Sequence, residues 1–134
     1  MRLVLIALLF VAGLLFLFVA LGFLIDPVGQ AAGFGMAADS NLGVAAIRGD
    51  MTAFFAVAAV CMLWGAWRRD GDVLLVPAAL FGIALLGRIV TWFTHGAGDG
   101  FFLPMVVEAV MVALLLTAWR ILPHREPLDE SAAA

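Results

Sequence analysis

Residues 3–25 read LVLIALLFVAGLLFLFVALGFLI, and no charge interrupts the chain between Arg2 and Asp26. Wound as an α-helix at roughly 1.5 Å per residue, this run is about 34 Å long, enough to cross a hydrocarbon core of about 30 Å. It is too long for the apolar part of a leader peptide, and no small-x-small site precedes a polar start. It therefore reads as a retained span rather than a cleaved signal. The rest of the chain carries the same message. Hydrophobic residues fill 66% of the 134 positions and charged ones 13%, too little polar surface for a water-soluble domain of this size.

Three further apolar runs, residues 42–67, 73–94 and 101–121, come close to the ~20 residues a crossing needs. The fold class is all-α, a four-helix transmembrane bundle formed by one domain over residues 1–122. Residues 123–134 follow as a polar, loose tail. Ser40 and Asn41 are placed to cap the second span, and Pro77 and Pro104 fall in first turns, where a missing N–H matters least. The connection from Asp26 to Asn41 has room for a short interfacial helix near residues 28–34, whereas residues 68–72 and 95–100 are tight turns.

Four crossings put both termini and the 68–72 turn on one side. That side collects Arg2, Arg68, Arg69, Arg120 and Arg125, and the two opposite loops hold no lysine or arginine. The positive side faces the cytoplasm, so both termini are expected there, with the chain as a multi-pass protein of the bacterial inner (plasma) membrane. No basic run suggests nucleic acid. Cys61 is the one cysteine, which excludes an internal disulfide. There is no phosphate loop, no dinucleotide fingerprint, no His-Glu-x-x-His and no credible triad. No cofactor or metal is expected.

The chemistry lies in four charges inside the spans: Arg48, Asp50, Arg88 and Glu108. Counted from the ends of their helices, Arg48, Arg88 and Glu108 all fall about 9–11 Å below the outer boundary. A lone charge at such depth costs about 2.5–3.5 kcal/mol, so these groups should face one another. Glu108 is the natural partner for Arg88, because a short loop joins their helices, and arginine's planar fork favours a two-bond geometry. Arg48 and Asp50, two apart on a helix, face each other poorly. Thr91, Trp92 and His95 share a face with Arg88 and outline the rim of a polar pocket. Ala45, Gly49 and Ala53 form a small-residue stripe suited to close helix approach. Gly82 and Gly87 match that motif less well. The many Phe and Met side chains read as packing or lipid contact.

Leu24-Ile25-Asp26-Pro27, then Asn41 through Arg48-Gly49-Asp50, Gly87-Arg88-Ile89-Val90-Thr91-Trp92 and Glu108 together resemble the small bacterial membrane-protein family called domain of unknown function number 4345. The resemblance runs over roughly residues 3–122. In that family an aromatic residue and two glycines often follow the helix-two arginine; Arg48-Gly49-Asp50-Met51 departs from this. DoxX-like four-helix membrane proteins are more loosely similar. The resemblance implies the four-helix membrane fold and the same charged positions, and supplies no reaction, substrate or cofactor.

The leading expectation is a binding or partner-subunit role for a bundle whose outward-facing Arg/Asp/Glu cluster is either a ligand pocket or a structural latch holding helices two, three and four together; enzymatic activity is left open. Its partners would be membrane lipid, a second copy or another membrane protein, and a small polar-headed or anionic ligand. A proton-coupled or small-solute transport component is one alternative, opposed by the poor inner half of the spans, where only Thr52, Cys61 and Thr117 are mildly polar. A membrane enzyme acting on a lipid or quinone is another.

Overall fold

A computed structural model describes residues 1–124. Of the polar tail, everything from residue 125 lies outside the described residues. Six α-helices follow one another: α1 (Arg2–Ile25), α2 (Pro27–Gly33), α3 (Asn41–Ala46), α4 (Thr52–Arg68), α5 (Leu75–His95) and α6 (Phe102–Ile121). A π-helical turn, Ile47–Met51, fuses α3 to α4, and a 3-10 turn, Asp72–Leu74, leads into α5. Among the described residues four spans are therefore long and apolar enough to cross a membrane: Arg2–Ile25, Asn41–Arg68, Asp72–His95 and Phe102–Ile121. Each boundary lies within a residue of the sequence expectation. The chain is a multi-pass, all-α membrane protein.

The ends of the helices follow from local chemistry. Asp26 caps α2 by accepting a hydrogen bond from the Gly29 N–H at 3.0 Å, with Pro27 at the first helical position. This short helix starts one residue before the expected interfacial segment. Ser40 caps α3, its Oγ accepting from the Gly43 N–H at 3.1 Å, and Asn41 is already inside the helix. At the far end of α4 the chain turns left-handed at Arg69 (φ 54°), and the Asp70 N–H reaches back to the Gly65 carbonyl at 3.1 Å. Glycine is the usual residue at such a helix end, and an arginine there costs about 1 kcal/mol in backbone strain.

The bundle is two antiparallel hairpins. α1 packs along α4, and α5 along α6. The first pair approaches closely at Gly13, where an added Cβ would lie 2.8 Å from Leu63 Cγ and 3.3 Å from the Ala59 carbonyl oxygen. The hairpins meet through an aromatic cluster in which Phe16 stacks on Phe55, and Phe81 packs on both Phe16 and Phe54. Leu9, Phe23, Met62, Leu74 and Leu115 complete the core. Large apolar side chains such as Leu3, Phe18, Ile83, Phe93 and Leu103 point outward, the arrangement expected where the surrounding solvent is hydrocarbon.

Two expectations about packing are corrected. Ala45, Gly49 and Ala53 are all exposed, and nothing lies within 4 Å of a Cβ built on Gly49. The intervening π turn adds a residue to the helix and shifts its register by about 100°, so the stripe does not meet a neighbouring helix. Gly87 is equally open, and Gly82 only brushes Val112. The Gly71 N–H donates to the Pro123 carbonyl at 2.8 Å, and His124 Nδ1 lies 2.7 Å from Asp72 Oδ1.

Candidate functional site

Arg88 and Glu108 are carried by the two helices of the second hairpin, seven residues before His95 and six after Phe102 respectively. Both therefore sit about 10 Å below the same boundary. They meet: Arg88 Nε donates to Glu108 Oε1 at 2.8 Å, over a sequence gap that a single loop closes. The side chain of Glu108 is 9% exposed and that of Arg88 33%. The contact uses one bond, in place of the two-bond fork expected from the sequence. Glu108 Oε2 is buried without a protein partner, and the outer nitrogens of Arg88 make no hydrogen bond among the described residues. A charge-assisted hydrogen bond of this kind is stronger than a neutral one, and a low-dielectric setting strengthens it further.

Arg48 and Asp50 do not join the pair. Both are exposed and form no ion pair among the described residues. The cause is the π turn, which contains both of them with Gly49 between. Its wider winding places the two side chains on the outside of the bundle, although their depth matches that of Arg88. π turns inside α-helices occur frequently at functional sites. Directly after the turn, Thr52 Oγ1 is buried without a partner. A helical threonine hydroxyl ordinarily bonds a carbonyl one turn back, as Thr91 does to Gly87 at 2.9 Å. Thr52 is thus a further polar group of this region, and an irregular winding that no local composition announces is what sets it apart.

The expected rim is exposed. Trp92 stacks on Phe93 and meets Phe102 edge-on at 5.5 Å. His95 Nδ1 lies 2.7 Å from Thr94 Oγ1. Thr91 is spent on its own helix. Along α5 the buried residues are Pro77, Ala78 and Phe81, all in its first third. The stretch that carries Arg88, Thr91, Trp92 and His95 therefore leans on α6 and stands off from the first hairpin.

These features define an integral membrane protein with four all-α spans among the described residues and an intramembrane ion pair inside its second hairpin. A family model described as "Domain of unknown function (DUF4345)" matches residues 4–119, and the chain belongs to that family. No curated protein and no solved structure matches it.

Proposed function

We propose that the protein serves in binding or as a partner subunit in the bacterial inner membrane, with both termini and the 68–72 turn cytoplasmic. The Arg88–Glu108 region is then the outward-facing element that takes a polar-headed or anionic group. The observation that carries this reading is the half-used ion pair. One Nε–Oε1 bond holds the two side chains in place, while the other guanidinium nitrogens and Glu108 Oε2 keep their hydrogen-bonding capacity. Intramembrane ionisable groups are expensive and by default mark functional sites. A third of the Arg88 side chain is open, and arginine's flat fork suits a phosphate or carboxylate.

The test uses Trp92, one helical turn from Arg88, as the reporter. In a chain carrying Trp64→Phe, Trp67→Phe and Trp119→Phe, titration with decyl phosphate in neutral micelles should change Trp92 emission saturably. The double variant Arg88→Gln/Glu108→Gln, which removes the guanidinium without stranding the carboxylate, should abolish the change while leaving the thermal midpoint of the apo protein within a few degrees. A response that is the same with and without Arg88 refutes the reading and leaves the pair as a latch between α5 and α6.

A further inference from the structure

At the opposite end of the bundle from Arg88, two grooves share a single residue. One, of about 430 Å³, is apolar and runs between the first turns of α1 and the end of α4. Leu3, Ile6, Phe10 and Val11 line one side and Ala66 and Trp67 the other, with Arg69 at its mouth. The second, of about 380 Å³, is more polar and lies over the 68–72 turn; Arg69 lines it as well, together with Trp64, Arg68, Asp70, Pro123 and His124. An apolar groove and a more polar recess on either side of one arginine have the layout of an acyl chain joined to a charged headgroup. We infer that this is a binding site for an anionic phospholipid, with its phosphate on Arg69 and Arg68 and one chain lying in the α1–α4 groove.

Charge and geometry both support this occupant. Arg2, Arg68 and Arg69 are exposed at this end. The acids nearby are engaged: Asp70 accepts from the Asp72 N–H at 3.1 Å, and Asp72 pairs with His124. The left-handed backbone at Arg69 turns its side chain back to the α1 groove, at a position where glycine is the ordinary choice. Trp64, whose ring lies 5.6 Å from the Arg68 guanidinium carbon, and Trp67, 78% exposed, mark the level of the lipid headgroups. The groove places the acyl chain below that level and the arginines at it.

The strained backbone separates binding from folding. Arg69→Gly removes the guanidinium and installs the residue the turn prefers, so the variant should fold at least as well as the parent. The whole chain would be studied by native mass spectrometry during titration with phosphatidylglycerol or phosphatidylcholine of identical chains. The parent should bind phosphatidylglycerol preferentially, and Arg69→Gly should weaken that binding about fivefold and phosphatidylcholine, whose choline cation offsets its phosphate, by clearly less. Ala7→Phe, which fills the groove from its exposed wall, should weaken both lipids. Glycerol phosphate, which has no chain, should not displace the bound lipid. Equal binding of the two lipids by the parent, undiminished phosphatidylglycerol binding by Arg69→Gly, or displacement by glycerol phosphate would each overturn the assignment. None of these readouts involves Arg88, so the site is tested independently of the proposed outer one.

Discussion

Removing one member of the Arg88–Glu108 pair should be worse than removing both. Arg88→Met leaves a carboxylate with 9% side-chain exposure and no counter-charge about 10 Å inside the membrane. The insertion cost of a lone intramembrane charge sets the penalty at about 3 kcal/mol. Glu108→Met leaves an arginine whose side chain is already one-third open and long enough to draw its head toward the boundary. Its penalty should be smaller, about 2 kcal/mol. The double variant leaves two apolar side chains of suitable length on facing helices, and its stability should return to within about 1 kcal/mol of the parent. The double-mutant cycle then gives a coupling of about 4–6 kcal/mol, which unfolding in mixed micelles of increasing SDS content measures directly. Single variants that each lose less than about 0.5 kcal/mol, or losses that simply add, would show that the contact is not an intramembrane ion pair of the kind described.

Three further outcomes follow from the packing and the topology. Gly13→Val should destabilise the α1–α4 pair by about 1–3 kcal/mol, because its Cβ would meet Leu63 and the Ala59 carbonyl, whereas Gly87→Ala, in open space, should be neutral or slightly stabilising in the same unfolding assay. Gly71→Val should loosen the docked end of α6, since a Cβ there would lie 2.9 Å from the Trp119 carbonyl; faster amide exchange at the end of α6 is the expected signature. In a Cys61→Ala background, a membrane-impermeant maleimide should label Gly98→Cys in intact cells and Arg68→Cys only after lysis, and the reverse pattern would refute the proposed orientation.

Much of this architecture is written in residue type alone. Each span is a run of apolar side chains bounded by charge, and the hydrocarbon thickness dictates its length, so the boundaries were readable to within a residue. The Arg88–Glu108 contact was readable for the same reason: two opposite charges at equal depth on helices joined by a short loop have few other places to go. What composition conceals is rotation about the helix axis. The π turn at Ile47–Met51 carries Arg48 and Asp50 away from the pair and leaves Ala45, Gly49 and Ala53 facing outward, and nothing in Ile-Arg-Gly-Asp-Met marks five residues as closing one turn. The close approach at Gly13 was hidden for a different reason, since a lone glycine inside a leucine-rich run lacks the repeat that signals a helix interface.

The pairing of sequence neighbours into hairpins has a consequence for biosynthesis. α1 and α4 can settle against each other while α5 is still being translated, because most of their contacts need nothing further down the chain. The ion pair belongs wholly to the later hairpin, so Glu108 reaches the bilayer when Arg88 is already there to receive it. Neither the newborn amino-terminal half nor the finished chain has to shelter an isolated carboxylate at that depth.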